Sequence, residues 1–308
     1  MFIKYVTNIT STQFDVIRDL MKLASGAAIS DLSTSCNKSL CSITGATAVG
    51  WTEVDYQVPV TGQVNGVVVS AKDADSITTK FVMLASTGAS KDAFTFTGYE
   101  TFNPSAHIGT NATATPLNTV PYTATGVNTY YIIATPRLLL ITTNFSDRTI
   151  IAAECAREAK YLKNSNYPVL ALASGQSMMR YDATGFNMIR QKLPTAAGDG
   201  IAGTWSGKAN VPSACVLWPG GYAENAINFT IATATPTRDQ NEQLYHPVFP
   251  LYLGAPSLYL GLLHEVYGTT YNFGTPGDEV VLEDGSYAVF GAGTMANAQL
   301  GRFLVRKD

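Results

Sequence analysis

The chain has 308 residues and a formal net charge of −3, and only 14% of its residues are charged, against about 25% in an average soluble protein. That balance provides no strongly basic face, which excludes nucleic-acid binding as the main role. No apolar run reaches the roughly 18 residues that a membrane-crossing helix needs. Thr, Ser, Asn and Gly stand in place of charge, a composition that suits faces covered by neighbours, because interface cores are depleted of charge.

The opening Phe2 to Val6 reads as a strand, too short and too soon followed by polar residues to be a signal peptide, so the chain is expected to be made and folded in a cytoplasm. Ser11 or Thr12 then reads as a helix N-cap, with Asp15 in the first turn. Phe14, Ile17, Leu20, Met21 and Ala24 recur at helical spacing, with Asp15, Arg18, Asp19 and Lys22 on the other face and Gly26 as the stop. The apolar face has two uses: packing on the nearest sheet, or docking on a neighbouring subunit.

From about residue 43 the pattern turns to β. Trp51 to Val60, Val64 to Ser70, Lys80 to Ala85 and Ala93 to Tyr99 are short runs rich in Val, Thr, Phe and Tyr, punctuated by polar turns. Residues 103–128, with Pro104, Pro116, Pro121 and much Thr, Ala and Asn, read as a long loop, arm or linker. This divides the chain into 1–102 (helix plus β region), 103–128, and a β domain over 129–308.

Tyr130 to Thr135 and Arg137 to Thr143 flank Pro136 and are apolar almost throughout, as strands covered on both faces are. Thr149 to Ala153 continues as strand and Glu154 to Lys163 reads as a short helix. Val169 to Ala173 is another buried strand, and 174–210 reads as loops with a short helix near Phe186 to Lys192. Val211 to Trp218, Ala226 to Thr233 and Phe249 to Leu253 follow as strands. A hairpin then turns at Asp284-Gly285, where Asp-Gly supplies positive φ angles, and Phe303 to Val305 makes a last strand. The expected fold is mainly β: sandwich or barrel-like antiparallel sheets, one N-terminal amphipathic helix and long loops.

Chemistry-bearing motifs fail on inspection. His264-Glu265 lacks the second histidine of a zinc-protease helix, position 268 being glycine. Ala173 to Ser177 lacks the glycines of a serine elbow, and Gly291-Ala292-Gly293 lacks the third glycine of a dinucleotide fingerprint. Cys36 and Cys41 have a spacing open to a small disulfide loop or half of a metal site, with free thiols the plainer reading; His107, His246 and His264 are scattered. Asp278/Glu279 and Glu283/Asp284 lie at the predicted hairpin, where Asp serves turn geometry. No catalytic, cofactor or metal residue is therefore assigned. The densest aromatic clusters, Leu217 to Tyr222 and Tyr245 to Tyr252, suit an interface or a glycan-stacking loop. The interface candidates are Phe14, Ile17, Leu20, Met21, Trp218, Tyr222, Tyr245, Phe249 and Tyr252.

Five landmarks occur in order: Gly50-Trp51-Thr52, Tyr131 to Arg137, Tyr167 to Leu170, Leu217 to Gly221, and Asp284 to Phe290. Together they resemble virion structural proteins of tailed bacteriophages, particularly those encoded among tail genes. The resemblance implies a non-enzymatic part of the tail, baseplate or neck, located in the virion and assembled in the host cytoplasm. Its partners would be copies of itself and other virion proteins in a symmetric assembly, without a cofactor, nucleic acid as main ligand, or membrane. The alternatives are a receptor- or glycan-binding module displayed on the particle and a cell-surface hydrolase.

Overall fold

The computed structural model describes residues 1–45, 50–57, 66–72, 79–86, 92–99, 101–110, 112, 119–145, 148–156, 168–174, 186–190, 204–206, 215–218, 245–247, 249–252, 258–259, 262–269, 275–290 and 303–308. The protein is mainly β, and its sheets are antiparallel. The elements begin with β1 (Phe2–Val6), α1 (Gln13–Ala24), a 3₁₀ turn (Ile29–Asp31), β2 (Ser42–Thr44), β3 (Thr52–Gln57), β4 (Gly66–Lys72), β5 (Thr79–Ser86) and β6 (Ala93–Tyr99). Then come β7 (Thr101–Asn103), β8 (Ile108–Thr110), β9 (Val120–Pro121), β10 (Thr129–Thr135), β11 (Leu138–Thr142), β12 (Thr149–Ala156), β13 (Pro168–Ser174), β14 (Phe186–Arg190) and β15 (Thr204–Ser206). The rest are β16 (Cys215–Trp218), β17 (Tyr245–Pro247), β18 (Phe249–Tyr252), β19 (Leu258–Tyr259), β20 (Leu262–Leu263), β21 (Val266–Thr269), β22 (Glu279–Leu282), β23 (Gly285–Phe290) and β24 (Phe303–Arg306).

The largest sheet runs β2-β1-β10-β11-β12-β13-β14-β15, with β20 also on β12. A second sheet runs β3-β4-β5-β6-β9, a third β17-β21-β24-β23-β22 and a fourth β16-β18-β19; β7 and β8 form a hairpin. The Pro136-Arg137 turn joins β10 to β11, and every residue of β11 is buried, as its apolar run Leu138 to Ile141 requires.

Helix α1 lies between the first two sheets. Thr12 caps it, its Oγ1 accepting the Asp15 N–H at 3.2 Å. Gly26, at φ +87°, ends it, a conformation free of penalty only for glycine. Ile17, Leu20 and Met21 are fully buried in one cluster with Ile3, Tyr5 and Tyr130 of the first sheet and Val67, Val69, Val82 and Phe94 of the second. Each such side chain stabilises the fold by about 1.5–3 kcal/mol.

Some expectations from sequence change here. Asp19, placed on the solvent face of the helix by its charge, is 1% exposed. Its carboxylate accepts from Tyr5 OH (3.0 Å), the Ser33 N–H (2.9 Å) and Ser33 OH (2.7 Å), so three donors replace water. The short helix expected near Phe186 is strand β14, held by β13 on one side and β15 on the other, and a two-sided ladder overrides local propensity. Strand β12 continues through Glu154 to Ala156 instead of turning helical, because Cys155 and Ala156 pair with Leu263 and Leu262; the rest of that expected helix, and the strand expected over Ala226 to Thr233, lie outside the described residues. The C-terminal hairpin turns at Glu283-Asp284, since Leu282 pairs with Gly285. Gly285 itself has φ +156°, a conformation that residues with a Cβ rarely adopt.

The 103–128 stretch holds more structure than a linker. β8 pairs with β7, β9 pairs with β6, and the buried Tyr122 donates its hydroxyl to Ser11 O at 2.7 Å. The strands also cross the division drawn there: β1 pairs with β10, Phe2 opposite Ile133, and one core draws on residues from both sides of it.

Candidate functional site

A group of ionisable side chains, two of them buried and three half-buried, forms where three sheets meet. Strand β5 carries Lys80 and β12 carries Glu154, with side chains 1% and 3% exposed and ion-paired. Lys80 Nζ also donates to Lys72 O at 3.1 Å and lies 5.8 Å from the centroid of the Trp51 ring. A charge so placed is tolerated only when paired and hydrogen-bonded.

Around this pair the backbone is stitched tightly. The Glu154 N–H donates to Arg137 O (2.7 Å), and the His264 N–H donates to Glu154 O (3.1 Å). His264 and Glu265 form the corner between β20, on the first sheet, and β21, on the third. Glu265 has φ +63°, an uncommon conformation for a residue with a Cβ. Its backbone O accepts the Arg306 N–H of β24 at 3.0 Å, and its carboxylate accepts the Thr135 hydroxyl. The Trp51 indole donates to Thr135 O (2.6 Å), and Gly50, at φ +71°, packs so closely on Pro136 that a Cβ would lie 3.0 Å from Pro136 Cβ. Two separated sequence landmarks, Gly50-Trp51 and the Thr135-Pro136-Arg137 turn, thus meet in space.

Arg137 Nη1 contacts His264 Nδ1 at 2.9 Å. Arginine can only donate, so Nδ1 accepts and a neutral ring carries its proton on Nε2. Burial, reinforced by Arg137, holds the His264 pKa below its ordinary value, while burial pushes the Glu265 carboxyl up. Each of these groups is engaged by a protein partner, and the arrangement joins sheets. Sequence reading singled out His264-Glu265 for a motif it fails; its role as a corner was hidden because Lys80, Arg137 and Glu154 are remote in sequence.

The carboxylates of the C-terminal hairpin also serve structure. Glu279 pairs with Lys307, Asp278 accepts the Thr275 N–H at 2.7 Å, and Asp284 accepts the Tyr287 hydroxyl at 2.8 Å. Among the described residues no three His, Cys, Asp or Glu side chains are grouped to hold a metal ion.

Of the interface candidates, Ile17, Leu20 and Met21 are consumed by the chain's own core, leaving nothing for a neighbour. Phe14 is half-buried, its ring 6.4 Å from that of Tyr56, over which the Arg18 guanidinium lies at 4.1 Å. Trp218 and Phe249 are cross-strand partners in β16 and β18, as are Cys215 and Tyr252; Tyr245 is in β17, and Tyr222 lies outside the described residues. The apolar side chains that do face solvent include Ile9, 71% exposed, and Val127, 57% exposed. They lie on adjacent stretches, tied by the Gly126 N–H to Ile9 O bond (2.7 Å) and the Thr10–Thr125 bridge. Sequence reading missed both because a single apolar residue within a polar run carries no periodicity.

Compared with known proteins, the sequence matches no family model and no curated protein. Among the described residues no helix is long and apolar enough to cross a membrane.

Proposed function

We propose that the chain is a non-enzymatic structural component of a tailed-phage virion, in the tail, baseplate or neck, acting through subunit–subunit contacts. The observation that carries this reading is the apolar surface at Ile9 and Val127 on a chain with only 14% charged residues, since charge depletion and exposed apolar area together mark surfaces that partners cover. The sheet ends support it. Among the described residues β2 ends one sheet and β22 another, and Val281 of β22 is exposed, so these end strands offer edges to neighbours. The first two sheets enclosing a shared core with α1 between them are the sandwich-like body of such a subunit. Trp218, Tyr245, Phe249 and Tyr252 of β16 to β18 stay in the proposal as aromatic anchors, as does Tyr222.

Sedimentation velocity on the purified chain at micromolar concentration tests the reading. Self-association, or binding to other virion proteins, is the expected result. The Ile9→Lys/Val127→Lys double variant should weaken it at least tenfold, about 1.4 kcal/mol. A wild-type chain that stays monomeric and binds no virion component would overturn it.

A further inference from the structure

The turn that leads into β2 holds two thiols face to face. The Asn37 N–H donates to Val6 O (2.8 Å), which fixes the incoming limb on β1, and the Leu40 N–H donates to Asn37 O (2.9 Å), which folds the chain back. The outgoing limb is fixed by the pairing of Ser42 with Lys4. Cys36 and Cys41 therefore sit on opposite limbs with their Sγ atoms 3.2 Å apart, both as free thiols. Cys36 is buried, whereas Cys41 is half-buried and within reach of a small reagent. The Val6 N–H donates to Cys41 Sγ at 3.3 Å, a bond that favours an ionised sulfur. The hydrogen bond from the Cys36 thiol, and then the Val6 N–H, pull the Cys41 thiol down to about 7 against the opposing effect of burial. The same bond and burial push Cys36 up.

We propose that Cys36 and Cys41 form a dithiol–disulfide pair in which Cys41 attacks and Cys36 resolves, with a low-molecular-weight disulfide such as oxidised glutathione as the oxidant. The Cys41 thiolate attacks one sulfur of that disulfide, forming a mixed disulfide and releasing the first glutathione thiolate. Cys36 then loses its proton to solvent and attacks Cys41 Sγ, forming the intramolecular bond and releasing the second. Two protein thiols are oxidised and one disulfide is reduced to two thiols. The sulfurs need to close by only about 1 Å to reach bonding distance, with both limbs already anchored. Closure would tie the start of β2, which ends the largest sheet among the described residues, to the segment bonded to β1.

The test treats the reduced full-length chain with oxidised glutathione, blocks the remaining thiols and maps tryptic peptides. Trypsin cuts after Lys22, Lys38 and Lys72 and so places Cys36 and Cys41 on separate peptides, 23–38 and 39–72. The expected product is the two peptides joined by a link that a reductant breaks, with the transient glutathione adduct on 39–72. Unlinked peptides, or glutathione that persists on Cys41 while Cys36 is free, would overturn the pairing. In the single variants, Cys36→Ser should take up glutathione roughly tenfold faster than Cys41→Ser, because only the former keeps the thiolate-forming sulfur. Equal or reversed rates would overturn the assignment of attacker and resolver, and the wild-type adduct position decides the same point if either variant fails to fold.

Discussion

Lys80 and Glu154 show how a buried charge binds a protein to its own folding. Neither is exposed enough for water to replace the partner. Lys80→Met should cost about 3–5 kcal/mol in denaturant unfolding, because it removes the cation ion-paired with the buried Glu154 carboxylate, whereas Lys80→Met/Glu154→Leu should recover most of that loss. A single variant as stable as wild type would show that the pair holds nothing. His264 predicts a pH effect of definite sign. Its folded pKa lies below its ordinary 6.5, so the unfolded chain takes up the proton first. The stability it contributes is present above pH 6.5 and lost as pH falls from there through the folded value, with a slope of at most about 1.4 kcal/mol per pH unit. Glu265 runs the opposite way: its raised pKa contributes stability below its ordinary 4.5 that is lost as pH rises through its folded value. Unfolding measured at about pH 7.5 and about pH 5.5 should therefore show a smaller loss in His264→Gln, which keeps an acceptor for Arg137, than in wild type.

At the scale of elements, helix α1 was legible in the sequence to its ends, because cap, apolar spacing and terminal glycine agree with one another. Asp19 was not, since its three donors come from β1 and from the segment after the helix, contacts that no helical wheel contains. Asp19→Leu should cost at least about 2 kcal/mol by chemical denaturation, from unsatisfied donors at Tyr5 and Ser33; a neutral result would mean that water reaches them. Strand β14 escaped notice because what makes it a strand is its neighbours, and β12 because its last residues pair with β20, more than a hundred residues on. The final strand was read correctly as a strand, and its place is more central than an edge. β24 lies between β21 and β23, with Phe303, Leu304 and Val305 buried. Truncation after Gly301 would strip one ladder from each neighbour and about 1.5–3 kcal/mol for each large buried side chain. Loss of cooperative thermal unfolding is expected; a normal transition would make the strand dispensable.

For the molecule as a whole, strand content and the alternation of strands with turns were readable, whereas the order of strands in each sheet was not. Periodicity records which face of a segment is buried; it does not record which distant segment buries it. The same limit applies to the site. Trp51, Lys80, Arg137, Glu154 and His264 are unremarkable one by one, and only the meeting of three sheets makes them a unit. Exposed apolar surface is the hardest to read, since Ile9 and Val127 look like noise until Gly126 is seen bonded to Ile9.

The pairing of β1 with β10 also has a consequence in time. Phe2 lies opposite Ile133, so the first strand emerges from the ribosome about 130 residues before its partner, roughly ten seconds at common elongation rates. Over that interval Ile17, Leu20 and Met21 have only β1 and β2 of the first sheet to close against, without Tyr130 and Ile132 of β10. Pairing at such separation makes folding slow. The nascent chain is thus a natural client for holding chaperones, and the yield of folded protein should depend on translation speed and temperature more steeply than the stability of the finished fold does.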